Sequence, residues 1–128
     1  MKSINSIQEL QSTIKNWKQQ GLTTAFVPTM GNLHAGHLEL VKAAKQNADK
    51  VVVSIFVNPT QFGEGEDFES YPRTEQQDSE ALAAHKVDVL FLPPVKEIYY
   101  PNAKTIITVS GVSDLHCGAS RKGHFAGV

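Results

Sequence analysis

The sequence predicts an α/β fold: a parallel sheet flanked by helices, of Rossmann-like kind. Three observations carry this. Val51-Val52-Val53-Ser54-Ile55-Phe56-Val57 is a nearly unbroken β-branched and aromatic run, the composition of a strand covered on both faces. Strand-like and helix-like patterns alternate along the chain, as successive βαβ units require. A short strand and a glycine turn lead directly into His34-Ala35-Gly36-His37, a strand-to-helix passage of the kind that places ligands at the C-terminal edge of an open sheet.

Taken in order, Ser6-Ile7-Gln8-Glu9 has the form of a capping box. Ile7, Leu10, Ile14 and Trp17 then recur at helical spacing until Gly21, so Trp17 belongs to a core-facing stripe. Residues 23–28 read as the first strand, broken at Pro28. The helix after the histidines places Leu38, Val41, Ala44 and Ala48 along one stripe. After the valine-rich strand, residues 58–73 form a polar loop longer than compact domains usually carry without a use. Thr74-Glu75-Gln76-Gln77 opens a helix to about His85, with Leu82 inward and Glu75, Asp78 and Glu80 on its solvated face. Residues 87–92 form a strand stopped by Pro93-Pro94, and residues 95–100 a short helical turn. Thr105-Ile106-Ile107-Thr108-Val109 reads as a fourth strand. Residues 113–128 close with no further element, so the chain reads as a fragment that stops before its next one.

At 128 residues, one domain with a single core is expected. Hydrophobic content of 41% and charged content of 20% are those of a soluble globular chain, and a net charge of −1 gives no attraction to nucleic acid or anionic membrane. A lone Cys117 forms no internal disulfide, and the first residues lack the apolar core of a signal peptide. A cytoplasmic protein is expected, without nucleic-acid or membrane partners.

His34 and His37 stand three residues apart at a helix start, so both imidazoles are expected on one face beside the open N–H groups and positive dipole end. Gly36 between them leaves room for a ligand against the backbone. A single histidine there would usually be a cap or a surface group; two around a glycine point to a nucleotide site. No metal set is completed, since no Cys/His cluster supplies further ligands. The dinucleotide glycine fingerprint and the P-loop Gly-Lys-Ser/Thr are both absent, so the phosphate grip is of another kind. Asn58 and Gln61 follow the valine-rich strand, and their amides suit a hydroxy acid, although Asn58-Pro59 equally reads as a simple turn.

These segments resemble the pantothenate synthetase family of the HxGH nucleotidylyl-transferase superfamily. The matching stretches are residues 27–37 (VPTMGNLHAGH), 53–62 (VSIFVNPTQF), 71–74 (YPRT), 95–99 (VKEIY) and 118–125 (GASRKGHF), in the family's order. The resemblance implies ATP-dependent condensation of pantoate with β-alanine through pantoyl adenylate, releasing AMP and pyrophosphate, with Mg²⁺ accompanying ATP. It implies an ATP site lined by Met30, Gly31, Asn32, Leu33, His34, Ala35, Gly36 and His37, with His37 as proton donor and His34 beside it. Gln61 would contact pantoate and β-alanine, with Asn58 and Met30 near the pantoate. It also implies a homodimer, and an N-terminal nucleotide-binding domain over residues 1–128 without the family's C-terminal domain. Lys122 and Ala126 stand where the family commonly has Pro and Arg, and Arg121 and His124 receive no role. The other readings are a nucleotide-binding or dimerisation module without activity of its own, and another HxGH adenylyl- or cytidylyl-transferase.

Overall fold

A computed structural model describes all 128 residues. The chain divides into two compact units. The first comprises Met1–Phe56 and Pro72–Tyr99, the second Val57–Tyr71 and Tyr100–Val128.

The first unit holds a four-stranded parallel sheet. Its elements are β1 (Lys2–Ile4), α1 (Ile7–Gln19), β2 (Thr24–Thr29), α2 (Ala35–Asn47), β3 (Lys50–Ile55), α3 (Glu75–Ala84), β4 (Val89–Phe91) and α4 (Val95–Ile98). The strand order is β1-β4-β3-β2, with every pair parallel. The chain therefore crosses from one sheet edge to the other between β1 and β2, then steps back strand by strand. Right-handed crossovers in opposite directions put α1 on one face and α2 and α3 on the other. The core follows that division. Val27, Val41, Val51, Val53, Leu82, Val87 and Leu90 form one buried cluster. Ile4, Val52, Val89 and Phe91 form the other, covered by Ile7, Leu10, Trp17 and Ile98. Alternate valines of β3 thus feed opposite clusters, which is why the run shows no polar face.

Local chemistry explains the helix ends. Ser6 accepts the Glu9 N–H at 3.3 Å, but Glu9 pairs with Lys2 at 2.8 Å, so only half of the expected box forms. The Ile7 N–H is met instead by the Glu97 carboxylate, 2.9 Å away from α4. On α2 only Val41 is fully buried, with Leu38 and Ala44 packed partly against the same cluster.

Several expectations are corrected. The strand β2 does not break at Pro28 but continues to Thr29, because it is an edge strand and the missing N–H costs no ladder bond. The fourth strand is Lys2–Ile4, not residues 105–109; Ile106 and Ile107 are 73% and 77% exposed and pair with nothing. Asp78 is not on a solvated face: it is 3% exposed.

The second unit contains a 3₁₀ turn, Pro59–Gln61, and two single helical turns, α5 (Cys117–Ser120) and α6 (His124–Gly127), where a featureless close was expected. Asn58 caps the 3₁₀ turn, and an edge-to-face aromatic group of Phe62 with Phe68 and Tyr71 packs the rest of the 58–71 stretch.

Candidate functional site

The stretch between β2 and α2 is tied down by its own side chains. Thr29 Oγ1 donates to the Ser54 carbonyl at 2.8 Å and accepts the Gly31 N–H at 3.1 Å, fixing the end of β2 against β3. Gly31 and Asn32 then take positive φ, 80° and 51°. A Cβ on Gly31 would stand 3.0 Å from Ile55 Cγ2 and 3.2 Å from Asp78 Oδ2, so glycine is required there for room as well as for φ. The Asp78 carboxylate reaches across from α3 and accepts the Asn32 and Leu33 N–H groups, both at 2.9 Å, and the Thr74 hydroxyl at 3.0 Å. A buried carboxylate is tolerated here because three donors replace its water.

His34 is not on the helix face. It is the N-cap of α2, with extended φ/ψ of −131° and 179°. Its Nδ1 accepts the Gly36 N–H at 3.1 Å, and Nδ1 of His37 accepts the His34 N–H at 3.3 Å. The two side chains thus cap the helix reciprocally, with ring centroids 4.1 Å apart. An imidazole nitrogen that accepts a hydrogen bond carries no proton, so both rings hold theirs on Nε2. Desolvation, assisted by the neighbouring His34 and opposed by Asp78, lowers the His37 pKa below its ordinary 6.5 and favours this neutral form.

Backbone donors expected to be open at this helix start are therefore largely engaged. Gly31, Asn32, Leu33, His34 and Gly36 all donate within the protein, and the His37 N–H is turned to the His34 side chain in the capping box, leaving the Ala35 N–H in the first turn. What the site offers an anion is two imidazole Nε2–H donors and the Ala35 amide at a positive helix end. Gly36 serves the cap itself: a Cβ there would lie 2.9 Å from His34 Cε1 and 3.1 Å from its Nδ1. Met30 joins β2 to the Gly31 turn.

Asn58 and Gln61 lie in the second unit. The Asn58 Oδ1 accepts the Thr60 N–H at 3.1 Å and the Thr60 hydroxyl at 2.7 Å, while its Nδ2 donates to the Gly127 carbonyl at 2.9 Å. Of the two readings of Asn58-Pro59, the turn is what this geometry contains. The chain holds no group of three or more His, Cys, Asp or Glu side chains able to take a metal ion. The buried carboxylate nearest the histidines already accepts from three donors.

Asp78 escaped sequence reasoning. An acidic residue in the first turns of a helix is common for dipole reasons, and nothing near it signals a loop 45 residues upstream.

These features define a Rossmann-like α/β domain whose second strand feeds a His-x-Gly-His helix start. The model of the pantoate-beta-alanine ligase family matches residues 2–128, and the chain belongs to that family. It is 55% identical to the pantothenate synthetase of Alteromonas mediterranea, aligning over all of this chain and 46% of that protein. Against the pantothenate synthetase of Colwellia psychrerythraea the identity is 54%, over all of this chain and 45% of the other. Among solved structures, pantothenate synthetase from Thermus thermophilus superposes with a TM-score of 0.88 at 42% identity, over 99% of this chain and 45% of that one. The pantoate-β-alanine ligase of Francisella tularensis, complexed with β-γ ATP and β-alanine, gives 0.91 at 44%, over 99% and 49%. The chain spans just under half the length of the curated relatives it matches. No helix is long and apolar enough to cross a membrane.

Proposed function

We propose that this chain is the N-terminal nucleotide-binding domain of an ATP-dependent ligase joining pantoate to β-alanine, with the family's C-terminal domain supplying the remaining ATP contacts. The observation that carries the reading is the reciprocal histidine cap, which fixes two Nε2–H donors at one helix start. The F. tularensis relative, complexed with β-γ ATP and β-alanine, supports ATP and β-alanine as ligands of this fold.

In the reaction, a pantoate carboxylate oxygen bonds to the α-phosphorus of ATP as the bond to the pyrophosphate oxygen breaks. The β-alanine nitrogen then bonds to the acyl carbon, AMP departs with the bridging oxygen, and the nitrogen releases a proton. Negative charge grows on the phosphate oxygens in the first step. Donors already held in place stabilise that charge without reorganising. His34 and His37, protonated on Nε2, act as such donors in the ATP site from Met30 to His37. His37 then gives a hydrogen bond to the phosphates rather than a full proton. Gln61 meets the acid and the amine, and Asn58, its amide bonded to Thr60 and Gly127, shapes the turn that carries Gln61.

Mg²⁺ would accompany ATP and be held mainly by its phosphates, where it would neutralise their charge; no group of three or more His, Cys, Asp or Glu side chains stands here to hold it. A homodimer in the cytoplasm completes the proposal.

The test is a calorimetric titration of pantoate into the chain with ATP present, with other hydroxy acids as competitors. Saturable pantoate binding that the competitors fail to displace is expected. Equal binding of unrelated acids would identify a different nucleotidylyl-transferase.

A further inference from the structure

The Gly118–Phe125 segment carries two side chains that the reaction above does not use, Arg121 and His124. Both belong to a hydrogen-bonded network inside the second unit. The Arg121 guanidinium donates from Nε and Nη2 to the two carboxylate oxygens of Glu66, each at 2.7 Å. This bidentate pair holds the Glu66 carboxyl below its usual range. From the same fork, Nη1 lies 3.3 Å from His124 Nε2 and Nη2 lies 3.4 Å from the Gln61 carbonyl oxygen. His124 Nδ1 is 2.9 Å from that same carbonyl.

The roles within the network follow from its donors. A guanidinium only donates, so His124 Nε2 accepts from it and the ring proton sits on Nδ1, where it is given to Gln61. One carbonyl thus receives two donors, both fixed by the Glu66 pair. The same turn is held at its other end, where the Gly127 carbonyl accepts Asn58 Nδ2 at 2.9 Å. The turn from Asn58 to Gln61 is therefore held at one end by Gly127 and at the other by Arg121 and His124, and the Gln61 side-chain amide is left without a protein partner.

We propose that Arg121 and His124 are positioning residues for Gln61. They fix its main chain, so that the unpartnered amide is presented to the hydroxy acid in a single orientation. The inference rests on the assignment of Gln61 to the pantoate subsite. It gives the 118–125 segment a use: Arg121 must supply a planar fork and His124 a donor at Nδ1, whereas Lys122 between them enters no contact of the network.

The experiment combines NMR relaxation with a double-mutant cycle on the chain. In His124→Ala, the Gln61 side-chain amide is expected to lose order on the picosecond–nanosecond timescale, and pantoate affinity to fall about tenfold, the scale of one lost hydrogen bond, with ATP affinity unchanged. His124→Asn retains a side-chain amide donor near the Nδ1 position and is expected to restore both readouts. In a Gln61→Ala background, His124→Ala should cost nothing further in pantoate affinity. An equal loss in both backgrounds, or an unchanged order of the Gln61 amide, would overturn the positioning role. If Gln61→Ala itself leaves pantoate affinity intact, the subsite assignment fails and this inference fails with it. A loss in Gln61→Ala with none in His124→Ala removes only the inference.

Discussion

The backbone N–H of His34 donates to Nδ1 of His37 at 3.3 Å, and this one bond ties helix capping to the protonation of the site. A protonated His37 could not accept it. Because burial lowers the His37 pKa, the folded state binds fewer protons there than the unfolded state just below pH 6.5. The sign is thus fixed: this histidine costs no stability above its unfolded pKa, and stability is lost as pH falls from about 6.5 to the lower folded value. Imidazole ¹⁵N shifts should show the Nε2–H tautomer for both histidines at pH 7.5, and a His37 midpoint below 6.5. An Nδ1–H signal from either ring would contradict the geometry.

Capping and catalysis separate by substitution at His37. Glutamine at the third helical position retains a capping oxygen, so His37→Gln should stay within about 0.5 kcal/mol of the parent, whereas His37→Ala loses about 1 kcal/mol. In the complete enzyme, His37→Ala should reduce turnover by roughly 10²–10³, the cost of one preplaced donor. Denaturant melts and steady-state rates on the two variants read the two effects independently.

Asp78→Ala removes the acceptor for two backbone N–H groups and the Thr74 hydroxyl. Each buried unpaired donor costs about 1–3 kcal/mol, so a loss of about 3 kcal/mol is expected in chemical denaturation. Hydrogen exchange at Asn32 and Leu33 should accelerate with it, while exchange in β3 follows only global unfolding.

At Gly36 two effects oppose each other. Alanine gains about 1 kcal/mol of helix propensity, but its Cβ meets the His34 ring at 2.9 Å. The ring is exposed and can turn away cheaply, so Gly36→Ala should leave stability within about 1 kcal/mol while breaking the cap. The His34 Nε2–H is then misplaced, and ATP affinity should fall about tenfold, a loss calorimetry would register.

How far the sequence could be read depends on the range of each interaction. The valines of β3, the Ser6 cap and the alternation of elements are local signals, and each appears where its pattern stands. The strand β1 has three residues, too few for a period, and only Ile4 is buried. Thr105–Val109 has stronger β-propensity than β1 but pairs with no strand of this chain, so composition misleads at both places. The His-x-Gly-His spacing is legible; that both Nδ1 atoms face inward to backbone donors is not, because it depends on ring orientation. Asp78 and the Arg121–His124 network join residues 45 to 63 positions apart, which no spacing rule reaches.

The most direct test of the central claim is an NMR titration of the chain with Mg-ATP, following the imidazole nitrogens of His34 and His37. Saturable shifts at both Nε2 atoms, with Nδ1 of each ring still accepting its backbone bond, are predicted. Shifts at Nδ1, or no response at either ring in millimolar ATP, would contradict a phosphate grip built from the histidine cap.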